Sequence, residues 1–356
     1  MRQAVIPSSA IGAAILSVTL VSLSAQPPSR SNTTITAVPG IKVGHVTLTE
    51  RPTGCTVVLV DGDAVGAVSQ RGGAPATRET DLLNPLNLVD KVNAISLSGG
   101  SAFGLDAASG VSRWLEEHGR GWTTRFGKVP IVPAASIFDL PVGGKPNIRP
   151  SADCGYKAAQ AASVGAVAEG NIGAGAGATV GGMGGAGRSM KSGVGSSSIA
   201  LPNGLIVGAL VVVNAAGSVV DPATGRVVAG VRNPDGTLTD IHKWLRSGAA
   251  TPSGVSTRPG ENTTIGVVAT NAKLTKAEAA RVALMADDGY ARAINPIHTL
   301  ADGDTVFVLA TGRWTGQPDV SILGAVAAEA MAEAIVRAAT QATSIPGYPA
   351  ARDLKK

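Results

Sequence analysis

Aromatic side chains are scarce in this chain of 356 residues: Phe, Tyr and Trp together make up 3%. That leaves little for stacking nucleic-acid bases or lining a carbohydrate cleft. Charge of one sign is also lacking. The 30 Lys and Arg stand against 25 Asp and Glu, a net charge of +5 with no basic cluster, so nucleic acid is not expected as a partner. Only two cysteines occur, Cys55 and Cys154, too few for a disulfide framework or a structural zinc site. Export would permit one bridge, but Cys55 opens the apolar run Cys55–Val60 and reads first as a small buried hydrophobe. The four histidines (His45, His118, His242, His298) are scattered without metal-ligand spacing and read as surface or structural residues. Neither GxSxG, SxxK, HExxH nor a Gly-Lys-Ser/Thr loop is present. The GxGxxG from Gly182 to Gly187 follows no clear strand and opens no helix. These absences disfavour an α/β-hydrolase serine site, a P-loop enzyme, a zinc hydrolase and a dehydrogenase, and no metal or cofactor is expected.

What the chain has is core material and glycine. Hydrophobic residues make up 44%, enough for a sizeable core, and the 46 glycines suggest close backbone packing and loops that approach a ligand. Arg2, the apolar run Ile11–Leu23 and the small residues Ser22, Ser24 and Ala25 read as an export signal over 1–25, too short for a transmembrane span. No cysteine follows to carry a lipid. Residues 26–35 read as a linker. The expected location is outside the cytoplasm, periplasmic or secreted, with no membrane contact once the signal is removed.

Short Val-, Ile- and Leu-rich runs predict strands at Thr56–Val60, Asn93–Ser98, Leu205–Val213, Thr264–Thr270 and Thr305–Ala310, each suited to cover on both faces. Helices are predicted at Phe103–His118, Cys154–Glu169, Lys276–Ala293 and Ile322–Thr340. The third starts with Thr275 and Glu278 at capping-box spacing. The last, rich in Ala, Gly and Val, is expected between layers. Eleven glycines fall in Gly170–Gly195, where interspersed Ala, Val and Met favour a structured loop over a flexible one. From Val219 to Arg258 the chain is a polar connection without strong periodicity, and connections of that length are usually functional or mobile.

That connection leads into Asn262-Thr263-Thr264 at the edge of an apolar strand. If the bond before Thr263 is cut, the residue gains an α-amine with a pKa of about 8, able to serve as base to its own hydroxyl. One residue then carries nucleophile and base, and no histidine is required. Asn32-Thr33-Thr34 repeats the tripeptide, so strand context rather than the triplet singles out the second copy. Asp302 and Asp304 flank a Gly before the strand at Thr305. They read either as a hairpin turn or as one carboxylate orienting Thr263 while the other is held by hydrogen bonds. Asn214 ends an apolar strand and reads as a turn residue or as an oxyanion donor.

With these residues in place the chain resembles the autoprocessing N-terminal-nucleophile family of L-aminopeptidase/D-Ala-esterase-amidase, the β-peptidyl aminopeptidases and the nylon-oligomer hydrolase. The matching stretches run in family order: Val38–His45, Leu97–Leu105, Gly173–Gly181, Val213-Asn214, Glu261–Thr264 and His298–Thr305. The resemblance implies an α/β fold, a four-layer αββα sandwich over 36–356, cut between Asn262 and Thr263 into an α chain (36–262) and a β chain (263–356). It implies oligomers of αβ units and hydrolysis of amide bonds in small peptides or related amides. Thr263 is then the nucleophile, Asn214 the oxyanion donor, and Asp302 and Asp304 the paired acids. Two departures stand out. The Thr-nucleophile branch has a catalytic lysine where this chain has Gly182, so Lys191, nine residues on, is the candidate substitute if the loop folds back. A family tyrosine is Phe138 here.

The leading expectation is a self-cleaving N-terminal-threonine amidohydrolase or aminopeptidase. The alternatives are an autoprocessing acyltransferase of the ornithine acetyltransferase type, which export disfavours, and a non-catalytic exported scaffold protein.

Overall fold

The computed structural model describes residues 1, 4, 32–185, 187–248 and 261–354. Nearly all of the expected signal and linker, and 249–258 of the polar connection, lie outside the described residues. The linker reading extends too far: Thr34 and Ile35 are buried, and Ile35 N–H donates to Ser196 Oγ at 2.8 Å, so these residues belong to the packed fold.

Eleven strands position the site: β1 (Ile41–Thr47), β2 (Gly54–Gln70), β3 (Thr77–Arg78), β4 (Lys91–Ser98), β5 (Ala134–Ser136), β6 (Thr179–Val180), β7 (Met190–Lys191), β8 (Val194–Ala200), β9 (Ile206–Asn214), β10 (Thr263–Thr270) and β11 (Thr305–Ala310). Four helices accompany them: α1 (Ala107–Glu117), α2 (Ala152–Gln160), α3 (Lys276–Ala293) and α4 (Val320–Gln341). Hydrogen bonding runs in the order β8-β9-β10-β11-β2-β4-β5-β3, with β1 also on β2. All neighbours are antiparallel except β10 with β11 and β4 with β5.

The long strand β2 turns this ribbon into two layers. Its middle, Asp61-Gly62-Asp63, is exposed, Gly62 has φ +100°, and the register against β4 shifts there. Before the bend β2 pairs with β1; after it, with β11. The period-2 alternation of each strand then sorts side chains into three cores. Leu210, Val212, Ile265, Val267, Phe307 and Leu309 meet Val58, Val60, Ile95 and Leu97 between the sheets. Ala209, Val211, Val268, Val306 and Val308 face Val282, Tyr290, Met331 and Ile335 of α3 and α4. Cys55, Val57 and Leu59 face Val111, Leu115 and Ala158 of α1 and α2. The result is the four-layer αββα sandwich.

Glycine sets how close the helices come. A methyl at Gly110 would stand 1.6 Å from Ala152 O, and one at Gly289 2.5 Å from Ala328 O, so α1/α2 and α3/α4 touch backbone to backbone. The capping box at Thr275 and Glu278 forms, and α3 spans Lys276–Ala293 as read from sequence. Helix α2 ends at Gln160 rather than Glu169, because Ser163 leaves the helix to pair with Val43 on the edge of β1. The Gly-rich segment is structured, with turns at Gly173–Gly175 and Gly182–Gly184 around the β6/β7 pair. Cys55 and Cys154 are bonded to each other, which corrects the reading of Cys55 as an unpaired hydrophobe. Odd-numbered residues of β2 face α2, and that places the two sulfurs in one buried layer.

Candidate active site

Thr263 is the first residue of β10 and pairs directly with Asn214, the last of β9. Since 210 and 212 on one strand and 265 and 267 on the other point between the sheets, Asn214 and Thr263 project the same way at the end of that layer. Both are buried, at 2% and 3% exposure. The Thr263 hydroxyl donates to the carbonyl oxygen of Asn262 at 2.5 Å. The same oxygen accepts the Gly303 N–H at 3.0 Å. The peptide bond before Thr263 therefore has a hydroxyl beside it and a backbone donor on its oxygen.

The two acids lie next to this bond, both fully buried. Asp304 Oδ1 accepts Thr264 N–H at 2.8 Å, and its Oδ2 accepts both the backbone N–H and the ring Nδ1 of His298 at 3.0 Å. Asp302 Oδ2 accepts Thr299 N–H at 3.0 Å and Thr299 Oγ1 at 2.5 Å, and Oδ1 accepts Ala216 N–H at 3.4 Å. Burial, and next the nearby Asp304 carboxylate, push the Asp302 carboxyl above the ordinary range. Of the two expected roles, only the holding one appears in these bonds. Both carboxylates hold backbone around Thr263, and neither bonds its hydroxyl. The stretch after β2 closes the loop from behind: Arg71 and Gly72 N–H donate to Asp304 O at 3.1 and 3.3 Å, and Ala74 N–H donates to Asp302 O at 2.9 Å.

Asn214 is held at both ends of its amide. Oδ1 accepts Thr179 N–H at 3.0 Å, and Nδ2 donates to Phe138 O at 3.1 Å. Phe138, Thr179, Gly182, Glu261, Asn262 and Tyr348 line a cavity of about 260 Å³ that includes the residue before Thr263. Gly182 faces the Asn262 side chain: a Cβ there would meet Asn262 Oδ1 at 2.2 Å.

Lys191 is not brought to Thr263. The β6/β7 pair turns its buried ammonium into the Gly-rich loop, where it donates to Gly175 O and Ala178 O, each at 3.0 Å, and to Ser192 O. Burial pulls its pKa down to about 7. The expectation that it replaces the absent lysine is corrected: all three of its donors are engaged elsewhere.

Sequence reasoning missed Gly303, hidden between two acids that read as a turn, and His298, set aside as structural. Thr179 gave no signal, since its role is a backbone N–H. Asp139, one residue past Phe138, gave no signal either. Its pair with Arg51, both fully buried at 2.7 Å, anchors the Phe138 wall of the cavity.

A family model described as Peptidase family S58 matches residues 33–352. An uncharacterized aminopeptidase of Mycobacterium tuberculosis is 46% identical over 348 residues, covering 90% of this chain and 97% of the relative. A 6-aminohexanoate-oligomer endohydrolase of Kocuria sp. is 31% identical over 312 residues, covering 85% and 84%. Among solved structures, a Burkholderia sp. beta-aminopeptidase matches with TM-score 0.63 at 24% identity, covering 89% of this chain and 88% of that one. An l-aminopeptidase d-ala-esterase/amidase from Ochrobactrum anthropi, described as a variant of the Ntn hydrolase fold, matches with TM-score 0.64 at 18% identity, covering 89% of each chain. At these identities the two structures bear on the fold alone.

Proposed function

The chain belongs to peptidase family S58 and is an N-terminal-nucleophile amidohydrolase of the aminopeptidase kind, and from that premise we propose that it activates itself by cutting its own Asn262–Thr263 bond. The observation that carries this reading is the Asn262 carbonyl oxygen, which accepts both the Thr263 hydroxyl and the Gly303 N–H.

In the cut, Thr263 Oγ1 adds to the Asn262 carbonyl carbon and the negative charge on oxygen is met by Gly303 N–H. The C–N bond breaks, the hydroxyl proton passes to nitrogen, and an ester joins Asn262 to Thr263 Oγ1. Water opens the ester, leaving a carboxylate on Asn262, the hydroxyl restored and a free amine on Thr263. That amine then takes the hydroxyl proton when Oγ1 attacks a substrate amide, and returns it to the departing amine. Asn214 Nδ2 donates to the new oxyanion. Water releases the acyl group in a second step. Asp304 and Asp302 keep β10 and its preceding loop in register.

The substrates are short peptides or related amides entering through the cavity at Phe138 and Tyr348. The aminopeptidase and endohydrolase relatives favour hydrolysis over transfer to an acceptor amine. A signal over 1–25 and the Cys55–Cys154 bond together support a periplasmic or secreted protein, since disulfides persist in oxidising compartments. Assembly into oligomers of αβ units follows from the family resemblance.

Mass analysis of the purified protein tests the reading. Two fragments meeting between Asn262 and Thr263 are expected, with a single uncut chain for Thr263→Ala. A Thr263→Ala protein that still splits there would refute it. Amino-terminal sequencing of both fragments reads export in the same experiment.

A further inference from the structure

The ammonium of Lys191 is fully buried and spends its three N–H bonds on the carbonyls of Gly175, Ala178 and Ser192. One of these carbonyls leads out of the loop. Ala178 C=O and Thr179 N–H are the two ends of one planar peptide unit. Thr179 N–H donates to Asn214 Oδ1 at 3.0 Å, and Asn214 sits opposite Thr263 in the strand ladder. Between the ammonium and the Asn214 amide there are two hydrogen bonds, each 3.0 Å, and one peptide group.

Hydrogen bonds in series polarise one another, and more so where water is excluded. A cation on the oxygen of a peptide unit strengthens its N–H as a donor. A stronger donor on Asn214 Oδ1 draws density from that amide and makes both Nδ2 hydrogens stronger donors in turn. One of them goes to Phe138 O; the other is the donor assigned to the oxyanion. We propose that Lys191 is a positioning residue for Asn214, its charged ammonium acting through the Ala178–Thr179 peptide to orient and polarise the Asn214 amide toward the carbonyl that Thr263 attacks. This rests on the reading of Thr263 as nucleophile and Asn214 as donor. It also assigns a use for an otherwise costly buried charge.

The charged group facing Lys191 is Asp139, which favours the ammonium and is itself paired with Arg51. Burial outweighs that help, so the ammonium is lost as pH rises past about 7, and the effect on Asn214 goes with it.

The test compares processed wild type, Lys191→Met, Asn214→Ala and the double variant on one amide substrate, with kcat and KM separated. Lys191→Met is expected to lower kcat about tenfold with KM little changed, and to add nothing once Asn214 is Ala. Losses that multiply in the double variant overturn the proposal, because a lysine that merely props the loop is felt whatever stands at 214. If Lys191→Met does not fold, the pH profiles of wild type and Asn214→Ala decide. A kcat that falls above about pH 7 in wild type but not in Asn214→Ala is expected, and identical profiles overturn it. Turnover surviving in Thr263→Ala, where Lys191 is intact, would instead mark failure of the underlying nucleophile reading.

Discussion

The Gly303 N–H donates to the Asn262 carbonyl oxygen at 3.0 Å, while Thr263 Oγ1 donates to the same oxygen at 2.5 Å. A fixed backbone donor is thus aimed at the bond proposed to break before any reaction begins. The position requires glycine, since a methyl there would lie 2.8 Å from Thr263 Oγ1 and 2.7 Å from Ala74 O. Gly303→Ala is expected to slow self-cleavage by about 100-fold or more. Persistence of the uncut mass over time, in a protein with an unchanged circular dichroism spectrum, is the readout; cleavage at the wild-type rate removes Gly303 from the mechanism.

Asp287 of α3 lies in the core behind the site. Its Oδ2 accepts Ser69 Oγ and stands 3.6 Å from Arg71 Nε, while Oδ1 has no hydrogen-bond partner among the described residues. Burial pushes its carboxyl from 3.8 up to about 6. The folded state therefore holds this proton more tightly than the unfolded chain. The group's contribution is complete below about pH 4 and is lost as pH rises through 6. Asp287→Asn keeps an acceptor for Ser69 without the charge. Urea unfolding should show the variant gaining on wild type between pH 5 and pH 8, by about 1.4 kcal/mol, the equivalent of one pKa unit. A difference independent of pH would show that the carboxylate is ionised without penalty.

Local signals carried much of the fold. Strand β11 and helix α3 match their sequence spans because each is bounded by residues that decide locally: Asp304 before the one, the Thr275/Glu278 box before the other. Thr263 and Asn214 were legible as the polar ends of two apolar strands. Their facing each other was not, because register between strands 49 positions apart depends on how the intervening connection closes. Nor was the job of the acids, since Asp302 and Asp304 bond backbone N–H groups of residues that a sequence does not place beside them. Lys191 failed for the same reason: its partners are carbonyls, which every residue carries.

The Cys55–Cys154 bond ties α2 to β2 across 99 residues of chain. In the chain-entropy account a loop of that length contributes about 4–5 kcal/mol by restricting the unfolded state. The Cys55→Ala, Cys154→Ala double variant, or wild type under reductant, should unfold at lower urea by a comparable amount while keeping self-cleavage, because the bond lies in the layer remote from Thr263. Equal midpoints with and without reductant would show that the bond adds nothing to stability.

Arg51 separates stability from positioning. Its guanidinium is fully buried, pairs with Asp139 Oδ1 at 2.7 Å, and donates to Ile148 O at 2.9 Å and Val142 O at 3.3 Å. Asp139 in turn accepts Thr53 Oγ1 at 2.6 Å and Gly100 N–H at 2.8 Å. Removing Arg51 alone strands a buried carboxylate, at a cost of about 3–5 kcal/mol. Adding Asp139→Asn removes the stranded charge and should recover most of that loss. It cannot restore the guanidinium bonds that fix the loop from Phe138 to Ile148, on which the Phe138 carbonyl holds Asn214. Arg51→Met with Asp139→Asn is therefore expected to be nearly as stable as wild type in urea yet impaired in kcat. Full turnover in that double variant would confine the pair to a structural role and leave the Asn214 amide anchored by Thr179 alone.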